Sequence, residues 1–253
     1  MQPSPHWARR SLPSRDFENM RNNGMTAGLD GFIPIQGEQR PEPEKDIRKL
    51  LKAYNKHIPR EFFKHYRVGV GNPRDFEGDT VSDLTNLYNA WRISQYVVDP
   101  VHIVEIGGGF GCLAAQLGSV YPNAQFTMVD LPESLELQEY YIGELNGNDR
   151  YRYTSDITDV TEQASLVINI RSMMEMTRGQ IEGYFDWIHR NAVWFYCANR
   201  YKKYENALKG YPFDDRWEIY ISQPLMLQPY IHEYLVKRSS DKGFTKQLRT
   251  LMA

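Results

Sequence analysis

The spacing of apolar positions changes character near residue 99. Before it the pattern is helical. Ile47, Leu50, Leu51, Tyr54 and Ile58 recur at i, i+3, i+4, i+7 and i+11. After a Gly/Pro loop from Gly69 to Gly78, Asp79-Thr80 can cap a second helix with Leu84, Leu87, Tyr88 and Trp91 on one face. Beyond Asp99-Pro100, short apolar runs predict buried strands at 101–106, 125–130, 151–154, 165–170 and 192–197. Helical stretches separate several of them: one from about Gly111 to Val120, one opened by Pro132, and one from Arg178 to His189. Strand-helix repetition of this kind implies an α/β fold with a parallel sheet and helices on both faces. Trp217–Ser222 and Ile231–Val236 follow with no helical pattern between them, which predicts an antiparallel hairpin added at one edge. Three regions are expected: a tail or lid over residues 1–43, a helical cap over 44–98, and a ligand-binding core over 99–253. The tail holds six of the 14 prolines and few apolar residues.

Composition removes several classes of function. The 253 residues carry 30 Lys+Arg against 32 Asp+Glu, a balance unsuited to holding nucleic acid by phosphate neutralisation. A hydrophobic content of 41% excludes global disorder. No window offers the roughly 18–20 apolar residues that span a bilayer, and no apolar stretch follows Arg9, Arg10 and Arg15 to make a secretory signal. Cys112 and Cys197 lie 85 positions apart, neither a disulfide framework nor a zinc spacing. The expectation is a cytoplasmic protein with a small-molecule partner, no nucleic acid, no membrane and no metal, and with room for a homodimer.

The chemistry concentrates where the first strand turns into the first core helix. Glu105-Ile-Gly-Gly-Gly-Phe-Gly111 places Gly107, Gly109 and Gly111 at that turn, where a ligand can approach the backbone and the helix N–H groups. Asp130 closes the second strand, 23 positions after Gly107, and can accept from both ribose hydroxyls of a nucleoside. Asp156 follows the third strand and suits an adenine amine. Two ligands fit such a site. Gly109-Phe-Gly-Cys-Leu-Ala114 matches the G-x-G-x-x-A pattern of dinucleotide binders. Glu105 before the glycines and the late hairpin favour S-adenosylmethionine (SAM), whose amino-acid end is cationic.

These residues resemble class I SAM-dependent methyltransferases, which are built on a Rossmann-like sheet. A longer set is similar to the sugar O-methyltransferase family. It comprises Leu87-Tyr-Asn89, the glycine loop, Asp130-Leu-Pro-Glu133, Gln138-Glu-Tyr-Tyr141, Ser172-Met-Met-Glu-Met176, Asn199-Arg-Tyr201 and Tyr211-Pro-Phe-Asp214 with Trp217. Cys112 stands where that family commonly has a further glycine, and Met174 where it has a glutamine. The resemblance implies methyl transfer from SAM to a hydroxyl of a sugar or other natural-product-like acceptor. Glu105, Gly107, Gly109, Gly111, Asp130, Leu131 and Asp156 would hold the cofactor. N- or carboxyl methyl transfer, NAD-dependent oxidation and a binding-only role are the alternatives.

An alcohol acceptor must lose a proton, so a positioned base is required. Glu175, just past the fourth strand, and His232, at the opening of the last, are the candidates. Arg171 could hold an acidic acceptor or pair with Glu175. Asn199, Arg200 and Tyr201, following the fifth strand, suit a polyhydroxylated acceptor. Tyr88 and Asn89 of the cap would close the site from above, and Tyr88, on the apolar face of its helix, equally suits the core. The near-neutral net charge suits an uncharged acceptor.

Overall fold

The computed structural model describes residues 52–54, 56–66, 81–109, 111–202, 207–226 and 228–239. The proline-rich tail, Ile47, Leu50, Leu51, the Gly69–Gly78 loop and the Asp79-Thr80 cap lie outside the described residues. Seven strands form one sheet: β1 (His102–Ile106), β2 (Gln125–Val129), β3 (Tyr151–Thr154), β4 (Ala164–Ile170), β5 (Ala192–Arg200), β6 (Trp217–Leu225) and β7 (Gln228–Arg238). Their spatial order is β3-β2-β1-β4-β5-β7-β6. The first five are parallel, and β7 enters antiparallel between β5 and β6. Helices α1 (Val81–Ser94), α2 (Cys112–Val120), α3 (Pro132–Asn146) and α4 (Arg178–Asn191) complete the layers.

The fully buried strands explain why the apolar runs are continuous. Along β1, Ile103 packs into the core beneath α1, α2 and α3, while Val104 and Ile106 enter the core beneath α4. Because α1 contributes Leu84, Leu87, Tyr88, Ala90 and Ile93 to the first of these cores, it is a layer of the sheet's packing. Thr177 caps α4 reciprocally with Gln180, and Pro132 opens α3 with the φ a first helical turn needs.

The last hairpin is longer than its apolar pattern predicts. Pairing extends from Trp217↔Arg238 to Leu225↔Gln228, with register irregularities at Ile219/Ile221 and Pro224/Leu225. Ladder bonds continue through polar and proline-bearing positions that an alternation rule does not count. Two consequences reach the site. Asn199 and Arg200 belong to β5 itself, opposite His232 and Ile231, and His232 sits well inside β7 instead of opening it.

Candidate functional site

In a parallel sheet, ligands gather at the carboxyl ends of the strands, where the order reverses. Here β1 lies between β2 and β4, so that reversal falls at the end of β1. Gly107 donates to Val129 O at 2.8 Å and then leaves the ladder with φ +72°. Gly109 and Gly111 follow at φ +59° and +86°, a left-handed path that side chains with a Cβ rarely adopt. Gly111 is the N-cap of α2 and supplies no side-chain cap. Two of the three also meet close neighbours. A Cβ on Gly107 would stand 1.9 Å from Ser172 Oγ, and one on Gly111 would stand 2.8 Å from Ile142 Cδ1. A Cβ on Gly109 would meet nothing within 4 Å, so the loop is open above that residue.

Acidic groups surround this loop. Glu105 is 4% exposed, accepts from the Ala114 N–H and leaves Oε2 without a partner. Burial, and then the charge of Asp130, pushes its carboxyl up to about 8. Asp130 accepts from the Leu131 N–H at 2.8 Å and from Gln138 Nε2 at 2.7 Å. Burial pushes this carboxyl up to about 6 against the pull of those bonds. The same Gln138 nitrogen donates to Gly109 O at 3.1 Å, so one fully buried amide ties the ribose acid to the glycine loop. Sequence reasoning placed Gln138 in a motif without a role; its i+8 spacing from Asp130 was the available signal. Asp156 stands exposed beyond β3 and caps a short 3-10 turn through Thr158, whose N–H and hydroxyl hold its carboxyl below the usual range. Burial raises the Tyr184 phenol of α4, and the charges of Asp130 and Asp156 add to that rise.

The ends of β4 and β5 are organised differently. Asn169 Nδ2 donates to Ile106 O at 2.8 Å, immediately before the glycine loop. Its Oδ1 accepts from Met173 N at 3.2 Å and from Asn199 Nδ2 at 2.8 Å, while Asn199 Oδ1 accepts from Met174 N at 3.2 Å. This buried asparagine pair holds the 3-10 turn Met173–Glu175 against both β1 and β5. Asn199, expected at an acceptor, is instead 0% exposed and fully engaged inside the protein. It points the same way as Cys197, to which it also bonds, because residues two apart share a sheet face.

Of its two readings, Tyr88 takes the core and not the acceptor side. It is buried between Tyr54 and Trp91, and burial pushes its phenol up to about 12. The Tyr196 hydroxyl donates to Glu233 at 2.8 Å and lies 3.1 Å from the amide of Asn89, which is also buried. Glu233 is paired there with Arg92 and Gln223. The apolar face of α1 is what draws these residues onto the sheet.

At the mouth remain Glu175, Arg171, Arg200, Tyr201 and His232, all half-buried. Glu175 ends the 3-10 turn. His232 is hydrogen-bonded to Ser222 Oγ at 3.1 Å and stacks on Tyr201 with ring centroids 4.8 Å apart. Burial lowers its pKa, which keeps the imidazole neutral and able to accept a proton at pH 7. Among the described residues there is no cluster of three potential metal ligands, and no helix is long and apolar enough to cross a membrane.

No family model matches the chain. No curated protein matches it in sequence. Solved structures do resemble it. A methyltransferase of Podospora anserina with bound S-adenosylhomocysteine (SAH) superposes with a TM-score of 0.50 at 13% identity, over 80% of this chain and 99% of that one. A candidate O-methyltransferase of Nostoc punctiforme gives 0.48 at 10% identity, over 61% of this chain and 55% of that one. The chain thus spans little more than half of that protein. Mitomycin 7-O-methyltransferase gives 0.46 at 12% identity, over 77% of this chain and 67% of that one.

Proposed function

We propose that the protein is a SAM-dependent O-methyltransferase acting on a hydroxyl of a sugar or other small, natural-product-like molecule. Its sheet is Rossmann-like, as in class I methyltransferases, mostly parallel with an antiparallel C-terminal hairpin. The observation that carries this reading is the acidic cradle: left-handed glycines open above Gly109, with the orphaned Glu105 Oε2 beneath and Asp130 beside them. Those residues fit the group. Asp130 would accept from the ribose hydroxyls, Asp156 from the adenine amine, and Leu131 would border the nucleoside. A cationic amino-acid end bound there would draw the proton off Glu105 and pair with the carboxylate left behind. When bound, SAM brings an already activated methyl group on its sulfonium.

The chain's own task is then to align an acceptor oxygen and exclude water. The Asn169–Asn199 pair sets the turn bearing Glu175, and Glu175 or the neutral His232 takes the hydroxyl proton. Asn199 links the two, since it touches the turn and is the register partner of His232. The test is calorimetry with SAH, followed by SAH release from SAM in the presence of hydroxylated acceptors. Binding is expected in the wild type, and Glu175→Gln should lower turnover at least ten-fold with SAH affinity kept. Heat with NAD and none with SAH would overturn the reading. Unchanged turnover in Glu175→Gln, with loss in His232→Asn, would assign the proton to the imidazole.

A further inference from the structure

Basic side chains line the acceptor end of the sheet. Arg171 follows β4, Arg200 ends β5, Lys202 lies over the Tyr201 ring at 5.5 Å, and the neutral His232 of β7 stacks on that ring. Glu175 is the carboxylate of the same rim; Glu233, on the opposite face of β7, is already paired with Arg92.

Arg171 stands out within this set. Its backbone is left-handed, φ +56°, a state shared among the described non-glycine residues only with Asp99. Left-handed backbone is unfavourable for a long side chain and persists where the surroundings over-determine it. Those surroundings are visible. Arg171 N donates to Ala198 O at 2.8 Å, and the next residue, Ser172, is packed on Gly107 of the glycine loop. The backbone of Arg171 is therefore fixed beside the point where the cofactor cradle meets the acceptor end.

Other half-buried arginines show what a guanidinium in this protein ordinarily does. Arg92 meets Glu233, Arg178 meets Glu182, and Arg150 and Arg238 each bond to backbone carbonyls. Arg171 has no such side-chain partner among the described residues. A planar fork of donors left half-buried at a ligand rim suits a carboxylate or phosphate, which it can grip in two places.

We propose that the acceptor carries an anionic group, a carboxylate or a phosphate, and that Arg171 binds it. This rests on the methyltransferase reading above and narrows its substrate class. It also replaces the expectation of an uncharged acceptor, because net charge averages over a surface whose two ligand ends differ in sign. The acceptor's hydroxyl is then presented to Glu175 or His232 with its charged end fixed by the guanidinium.

The test loads the protein with SAH and titrates glucuronate, glucose 6-phosphate and glucose by calorimetry at low ionic strength. At least one anionic probe should bind ten-fold or more tightly than glucose, and raised salt should erode the difference. Preference for glucuronate would identify a carboxylate, and preference for glucose 6-phosphate a phosphate. Arg171→Gln should abolish the preference with SAH affinity unchanged. Arg171→Gly removes the guanidinium while relieving the left-handed backbone, so it should fold with an equal or higher Tm and show the same loss. Equal binding of glucose and both anions, no binding of either anion, or an anion preference that survives in Arg171→Gly would each overturn the proposal. Failure of SAH to bind, with Arg171-dependent anion binding intact in the unloaded protein, would remove the methyl-transfer reading and leave the anion site standing.

Discussion

The two ends of the ligand crevice are built from opposite materials. At the ends of β1, β2 and β3, carboxylates cluster around a bare glycine backbone, and burial pushes Glu105 up to about 8 and Asp130 up to about 6. At the ends of β4, β5 and β7, arginines and a histidine surround a turn pinned by two buried asparagines. The difference shows how one crevice can take two ligands without confusing them. A cationic group is attracted to one end and an anionic group to the other, and like charges are kept apart. The two ends touch where Ser172 packs on Gly107.

The comparison is broken most severely at that contact. Gly107→Ala places a Cβ 1.9 Å from Ser172 Oγ at a φ of +72°. It should cost about 2–4 kcal/mol of stability in denaturant unfolding, and SAH binding should be lost with it. Asp130→Ala acts on the acidic end alone. It removes the ribose acceptor and strands the Gln138 amide, so calorimetry should show SAH affinity falling by about 10–100-fold, the worth of one or two charged hydrogen bonds. Anion binding at Arg171 should persist in that variant. Asn199→Leu acts on the opposite end, leaving the Met174 N–H without its acceptor, and should destabilise by about 1–3 kcal/mol. Its effect on turnover should exceed its effect on SAH affinity. Asn169→Leu, which also releases Ile106 O, should lower both.

The smallest effect concerns pH. Glu105 has a folded-state pKa raised above its unfolded value of about 4.5, so the fold binds its proton more tightly than the open chain does. Its contribution to stability is therefore full below pH 4.5 and declines as pH rises toward 8. Glu105→Gln keeps a neutral group there. Without cofactor, the variant should match wild type near pH 5 and show the higher Tm at pH 8.5. A wild-type advantage at pH 8.5 in the absence of cofactor would show Glu105 to be charged and well paired.

The acidic end was largely legible in the sequence, and the cationic end was not. Glu105 lies near the end of β1, and Gly107, Gly109, Gly111, Asp130 and Asp156 come just after strand ends, so reading the strands was enough to bring them to one edge. Gln138 escaped because its role depends on how α3 leans over the glycine loop. Tyr88, Asn89 and Asn199 were expected to face an acceptor, but their polar atoms give no sign of direction along a chain. The side of α1 on which Tyr88 falls is apolar, and burial of that side drew it into the core. The β5–β7 pairing likewise brought Asn199 and Arg200 into a strand.

By itself, the sequence determined the seven strands, the parallel sheet with its added hairpin and the glycine turn with its acids. Period, strand length and glycine placement are local properties, and local sterics and burial act on them directly. Only the tertiary structure decided which polar residues face a ligand and which are consumed as internal props. It buried Asn199 against Asn169 and Glu233 against Arg92, while Arg171 was left half-buried at the rim, its side chain without a partner among the described residues. A polar side chain must satisfy its hydrogen bonds wherever it is buried, and which partners reach it is settled by the packing of segments far apart in the chain.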